Sequence, residues 1–452
     1  MTELSDRPLT DSPRGSRAPW IGLAIAIVLL AAAMIIPAVT GWNVRVRSFP
    51  PLHAEWMPRL GLGTIPVVVL GVLAVRFGAA AASYLRWNLL LAASFVASAL
   101  WLASLALVDG PAGIGVILDH HYEYLRTARS VTDFSATLNE YVSRIPLDSV
   151  NNWPVHIAGH PPGALLFFVV LVQLGLGSGL AAGIVVLLFA ATVPAAVLIT
   201  LRRLGAEGPA RVVAPFLVFG PSAIWMAVSG DGMFAAFAAW GLCLLAVAAT
   251  SQRRRSVALW GLAAGLVLGY CVMLSYGLPL LGILACTILA VARNWRPIGW
   301  AIGAAVAVVL AFAVAGFAWW EGYPVLVQRY WDGIATRRPL GYWIWGNFAA
   351  LLFSAGPIVG AAIAATIARS RSTLKSTSEL RIVVALALAA LATVVVADLS
   401  GMSKAEVERI WLPFVPWLLV ATAILPASWR TGALAGQIAF AVVVQHVLFT
   451  GW

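Results

Sequence analysis

Acids and histidines are scarce in this chain, so the places where they gather are the places where chemistry is available. The sequence holds 18 acids and 6 histidines in 452 residues. Every histidine except His53 and His446 lies between positions 109 and 163, together with Asp119, Glu123, Asp133, Glu140 and Asp148. Leu118 to Leu125 reads as the start of a helix with Asp119 near its amino end, where a carboxylate favours the helix dipole. Leu118, Tyr122 and Leu125 then form an apolar stripe that lays the helix on a membrane surface. Asp119 and Glu123 are four apart and share one face. Two such carboxylates can take a proton, hold a cation, or face water.

The interval closes on Gly159-His160-Pro161-Pro162-Gly163. Two successive prolines fix the backbone and set the direction of the helix that follows. His160 is thereby held at the mouth of an apolar segment, either as a donor to a phosphate or as an interface residue. Further along, Ser229-Gly230-Asp231-Gly232 opens another apolar run. A cap is the structural reading of Ser229 and Asp231, and a partnered acid at a membrane boundary is the functional one. Residues 320–342 mix aromatic side chains with Arg329, Arg337 and Arg338. An interfacial belt explains the rings; an anionic ligand explains the arginines. Near the end, Lys404, Glu406, Glu408 and Arg409 precede a Pro-containing apolar run. Arg409 either pairs with Glu406 or Asp398, or binds a phosphate.

The elements that carry these residues are membrane helices. Apolar residues make up 61% of the chain and charged ones 10%, against about 25% charged in soluble domains. Apolar runs of roughly 17–25 residues match the length of a spanning helix. The spans fall at 20–40, 63–81, 87–108, 232–250, 257–275, 278–293, 297–319, 343–367, 382–398, 411–426 and 432–451. Between 163 and 231 there are three further candidates, 163–178, 179–200 and 212–229. Only an even number of crossings fits there, so one is partial or re-entrant, and the Gly220-Pro221 break marks 212–229 as the re-entrant alternative. The total is roughly 13 spans, an all-α polytopic membrane protein with a large outer loop carrying membrane-surface helices.

The net charge of +11 sits in short loops between spans. The positive-inside rule accounts for it and excludes nucleic acid as a partner. The same rule puts the amino terminus in the cytoplasm and 109–163, Asp231, 320–342 and 399–410 outside. Residues 1–18 form a polar, disordered cytoplasmic leader, 19–86 an amino-terminal hairpin, and 87–452 the main transmembrane domain. Cys243, Cys271 and Cys286 have no metal-ligand spacing and read as packing residues.

At these residues the chain resembles the GT-C superfamily, membrane glycosyltransferases that use polyprenyl-phosphate sugars and include actinobacterial mannosyl- and arabinosyltransferases. In that family an acid opens a surface helix in the first large outer loop, and the loop ends in a Lys/His-Pro-Pro motif. A further acid stands at the outer start of a later span, and an Arg precedes a Pro-containing span near the end. Asp119, His160-Pro161-Pro162, Asp231 and Arg409 match that order over roughly 87–430. The family loop follows the first span, whereas here it follows the third, so the hairpin is an addition.

The resemblance implies a sugar transfer from a polyprenyl-phosphate donor to a glycan or lipid hydroxyl at the outer face of the plasma membrane. Asp119 would be the base, with Glu123 standing in for the family's second acid. His160 and Arg409 would bind the donor phosphate, with Arg329 and Arg337 as further anion-binding candidates. Asp231, with His120 and His121 beside Asp119, would shape the acceptor or cation site; no cofactor is fixed, and a divalent cation stays open. The alternative from a different class is a polytopic transporter or lipid flippase.

Overall fold

The structure is a computed structural model and describes residues 17–451, so the leader lies almost wholly outside the described residues. The protein is 75% helical. Among the described residues, the one strand pairing is a two-residue antiparallel bridge, Glu55–Trp56 against Leu448–Phe449. Helix is what long apolar sequence must form where water cannot satisfy the backbone. Among the described residues, seven helices are long and apolar enough to cross a membrane: Ala18–Thr40, Thr64–Tyr84, Trp87–Asp109, Gly179–Arg203, Gly230–Thr250, Arg254–Leu274 and Leu380–Leu399. Two bent pairs, Ile298–Val314 with Trp319–Asp332 and Leu340–Ala355 with Ile358–Thr373, raise this to nine. Large apolar side chains such as Ile65, Val72 and Leu259 are more than 60% exposed on these helices. Their density is what a lipid-facing surface requires. The coarse expectation of a multi-pass, all-α membrane protein is therefore consistent with the fold.

The roughly 13 spans read from sequence are not reached by this measure, and the departures have local causes. The predicted span 343–367 is two helices meeting at 108°, with Gly356 in the left-handed region and Pro357 at the bend. The predicted span 411–426 is broken around Pro413 and Pro416 into the short pieces Val415–Leu419 and Val420–Ile424. A proline lacks the N–H that would continue an α-helix. The predicted 297–319 stops at Val314, and a second helix leaves it at 76°. Of the cysteines, Cys243 and Cys271 are buried as expected, but Cys286 is exposed on its helix.

Neighbouring helices approach closely where glycine lets them. A Cβ on Gly265 would strike the Ala301 carbonyl, and one on Gly22 would strike that of Gly360. Small residues at such crossings substitute for the hydrophobic drive that lipid does not supply. The helix ends gather into two poles. At one, Gln445 donates to Asp109 (2.8 Å), Arg59 pairs with Asp109, and His446 meets Thr64 (3.0 Å). At the other, Arg211 donates to the carbonyls of Ala82 (2.8 Å) and Leu85 (3.0 Å), and Asn294 to that of Ala249 (2.7 Å). Arg202, Arg211, Arg253–Arg255, Arg293 and Arg296 lie at this second pole, at the ends of the helices that meet there.

The interval that sequence left open now resolves. Pro162–Gln173 has 12 residues, about 18 Å of helix. Both its ends lie at the first pole: just beyond it, the Gly177 carbonyl accepts from Arg129 (2.8 Å), and Gly179 abuts Gly115 and Asp119. It does not traverse the bundle. Gly179–Arg203 does, and Glu207–Val218 returns. That return is broken at Gly220-Pro221 before Ser229, and Trp101 donates to the carbonyl that the break frees (3.3 Å).

The outer loop also differs from expectation. No helix runs through Leu118–Leu125. A 3-10 turn covers Ile117–Asp119, the chain then extends, and a helix begins at Tyr124 (Tyr124–Ser130). Asp119 therefore ends a turn instead of opening a helix, and it shares no helical face with Glu123. The cause is that the two carboxylates are drawn in opposite directions, Glu123 inward and Asp119 outward, which no single helical face allows. Helix Tyr124–Ser130 packs on Pro162–Gln173, with the Tyr124 ring stacked on Phe168 (5.3 Å). Asp133 caps Phe134–Glu140 through the Ala136 amide (3.1 Å).

Candidate functional site

The buried charges of the first pole centre on Arg409. The segment carrying it leaves Leu380–Leu399 and is pinned residue by residue. Asn347 donates to Asp398 (2.7 Å) and to the Ser403 carbonyl (2.6 Å), and it accepts from the Ala405 amide (3.1 Å). Lys404 reaches the Ala335 carbonyl (3.2 Å) and lies over the Trp331 ring (4.7 Å). Ala405 and Glu406 then take left-handed backbone, φ 70° and 62°. This turns the chain so that the single helical turn Val407–Ile410 aims Arg409 into the protein.

Asp231, Glu406 and His156 receive the Arg409 guanidinium. Nη1 donates to Asp231 (2.7 Å), and Nη2 to Glu406 (2.7 Å) and to Nε2 of His156 (3.0 Å). Asp231 is available because Ser229 caps its helix through the Gly232 amide (3.0 Å). The carboxylate stands in the first turn, where the dipole favours negative charge. His156 in turn meets Glu123 through Nδ1 (2.8 Å). A guanidinium only donates, so Nε2 must accept and Nδ1 carries the proton that Glu123 receives. Glu123, His156, Asp231 and Arg409 are all under 9% exposed. Buried charges persist only when paired this fully.

His160 joins from the same side. Its Nδ1 donates to the His156 carbonyl (2.7 Å) and lies 2.9 Å from the Tyr124 hydroxyl. Burial, opposed by Asp231, holds its pKa below the ordinary histidine value. Pro162 begins the next helix as the sequence predicts. Tyr141 pins the approach by donating to the carbonyls of Ile157 (2.9 Å) and His160 (3.1 Å).

The other predicted positions lie apart from this cluster. Asp119 pairs with Arg129 (2.6 Å) and is 26% exposed at its side chain. His120 and His121 are exposed and stack on one another and on Tyr122. They do not meet Asp231, so the structure does not bring the predicted acceptor or cation group together. Arg329 is buried, and its guanidinium binds the carbonyls of Ile145 and Trp153 (2.9 Å). It stitches the outer loop to helix Trp319–Asp332. Arg337 is exposed. Its neighbour Arg338 is the arginine that reaches the cluster, 3.3 Å from Glu406 and 2.7 Å from His53. Nothing in the spacing of 329, 337 and 338 distinguishes it. His53, from the amino-terminal hairpin, carried no signal either. Among the described residues, no group of three or more His, Cys, Asp or Glu side chains is placed to hold a metal ion.

Two glutamates complete the electrostatics. Burial opposes the charge on Glu406, but Arg409, Arg338 and His53 together hold its carboxyl well below the usual range. Glu408 faces the other way, 1% exposed; burial, reinforced by Glu406, pushes its pKa up to about 8. Between the ordinary value near 4.5 and 8 the folded protein binds this proton more tightly than the unfolded chain. Stability is therefore lost as pH rises through that window, by on the order of 5 kcal/mol at most. Glu408→Gln removes the ionisation. Its thermal midpoint should fall less than the wild type's between pH 5 and 9, and parallel curves would refute the buried neutral acid.

No family model matches the chain, and no curated protein or solved structure matches it either.

Proposed function

We propose that this protein is a membrane glycosyltransferase that moves a sugar from a polyprenyl-phosphate donor to an acceptor hydroxyl. The observation that carries the reading is a convergence. Asp231 and Arg409, two of the four positions on which the GT-C resemblance rests, meet in one buried ionic cluster, and a third, His160, stands beside it on the His156 carbonyl. Arg409 lies 178 residues from Asp231 and 253 from His156 in sequence. Their meeting has no source in local pattern.

In this reading the basic pole is cytoplasmic and the cluster faces outward at the plasma membrane. With Leu278–Ala292, the 207–226 return, the short pieces up to Ile424 and Ala427–Val447 counted as crossings, the chain passes roughly 13 times. The amino terminus is then inside. The donor tail stays in lipid, so its phosphate must be met at that boundary. The acceptor oxygen attacks the anomeric carbon, and the carbon–oxygen bond to phosphate breaks. The phosphate leaves with the electron pair, Arg409 offsets its charge, and Asp119, half-buried beside Arg129, takes the hydroxyl proton. Glu123 is a positioning residue: through His156 it fixes the Arg409 edge that the phosphate meets.

The test is transfer by the purified protein in liposomes supplied with polyprenyl-monophosphate sugars and envelope glycan or lipid acceptors. A glycosylated acceptor with release of polyprenyl phosphate is the expected result. Movement of the lipid across the bilayer without any glycosyl product would replace this reading with a flippase.

A further inference from the structure

Arg338 and Arg409 come from segments far apart in sequence, yet a single carboxylate bridges them. Glu406 presents Oε1 to Arg338 (3.3 Å) and Oε2 to Arg409 (2.7 Å). We propose that the two guanidinia form a phosphate subsite and that Glu406 is its built-in occupant, displaced when the lipid phosphate binds. The proposal rests on the reading above for the identity of the ligand and adds to it the second arginine and a latch.

Four observations carry it. The bridging geometry is that of two adjacent phosphate oxygens, each facing its own guanidinium. The order of exposure is that of a cover over a site: the Glu406 side chain is 24% exposed, whereas those of Arg338 and Arg409 are 7% and 6%. The guanidinia meet solvent only if Glu406 withdraws. Charge also balances. Asp231 and Glu406 together neutralise the two arginines, so exchanging Glu406 for a phosphate monoanion leaves the buried total unchanged. Adding phosphate without that exchange would leave an unpaired buried charge.

The backbone holds the latch in a conformation it would not choose. Ala405 and Glu406 are consecutive non-glycine residues in the left-handed region, which residues with a Cβ rarely adopt. Gly401, also left-handed, precedes them. Strain held by an ion pair is released when the pair is exchanged. His53 completes the wall: its Nε2 lies 2.7 Å from Arg338 Nη2, and burial, with opposition from Glu406, keeps its pKa below the ordinary value. The hairpin that the family resemblance leaves as an addition thus supports this subsite.

The experiment measures binding and thermal stability of the full chain in nanodiscs with inorganic phosphate, farnesyl phosphate or farnesol. Glu406→Gln should unfold at lower temperature than wild type without anion. It should be restored by phosphate and bind farnesyl phosphate about tenfold more tightly, with no response to farnesol. Glu406→Asp keeps the charge but is too short to span both arginines, and it should show the same tightening to a smaller degree. Arg338→Gln should lose the tightening when combined with either. Farnesyl phosphate affinity unchanged in Glu406→Asp, or equal stabilisation by farnesol, overturns the proposal. None of these readouts requires sugar transfer. A chain that exchanges Glu406 for phosphate yet transfers no sugar keeps the subsite and loses the enzyme, and transfer with unaltered phosphate binding does the reverse.

Discussion

Arg409→Ala should abolish the proposed sugar transfer and destabilise the folded protein by about 3–5 kcal/mol, the range for breaking a buried ion pair from one side. The reason is what it leaves behind. Asp231 is 4% exposed and has Arg409 Nη1 at 2.7 Å. Glu406 keeps Arg338 and His53, and Nε2 of His156 loses the Arg409 donor. Removing the cation strands the Asp231 charge in a place water does not reach, whereas Glu406, 24% exposed at its side chain, loses one of its two arginines. Arg409→Lys should recover part of the stability but little transfer, since a point charge cannot serve Asp231, Glu406 and His156 together. Pairing Arg409→Ala with Asp231→Asn should restore stability beyond the sum of the single changes, because the two sites are coupled. It should restore no activity. Denaturation and transfer assays on the same preparations separate the two effects. An Arg409→Ala protein as stable as wild type would mean that the cluster is hydrated and the ionic core described above is wrong.

Sequence carried the class of the fold because apolar run length is a local property, and Gly230–Thr250 or Leu380–Leu399 could be placed within a few residues. It did not carry the breaks. Pro413 and Pro416 were visible, yet whether a proline kinks a span or divides it depends on which neighbours satisfy the freed carbonyls. The interval 163–231 failed for a similar reason. Pro162–Gln173 is as apolar as a crossing helix, and its short length and its packing under Tyr124–Ser130 keep both ends at one pole. The site was legible where rigidity is written locally, as in His160 held by Pro161-Pro162, or Asp231 behind the Ser229 cap. Partnerships were not legible. The i,i+3 pair of Glu406 and Arg409 could be suspected, but Arg409 with Asp231 and Arg338 with His53 depend on the arrangement of helices far apart in sequence. The helix drawn through Asp119 and Glu123 was wrong because periodicity knows nothing of His156. Once that histidine takes Glu123 inward, the two acids must part.

That parting gives a second expectation, in which neighbouring carboxylates fail in different ways. Asp119→Asn keeps shape and hydrogen bonding but removes the base, so transfer should fall by about 10²–10⁴-fold. Stability should change by about 1 kcal/mol or less, because its pair with Arg129 is partly exposed on both sides and such pairs contribute little. Glu123→Gln removes the charge from a buried carboxylate that meets His156. The amide can donate as well as accept, so the imidazole loses the partner that fixed its proton on Nδ1. Its other nitrogen then no longer presents a lone pair reliably to Arg409. Loss of such a supporting partner typically costs 10–100-fold, and here it should appear as weaker donor binding together with a lower unfolding temperature. The kinetic readouts separate the roles further. If Asp119 is the base, Asp119→Asn loses turnover at unchanged donor affinity, whereas Glu123→Gln loses donor affinity first. Near-normal transfer by Asp119→Asn would move the base elsewhere. Loss of turnover in Glu123→Gln at unchanged donor affinity would point to the buried carboxylate, acting through His156, as the group that takes the proton.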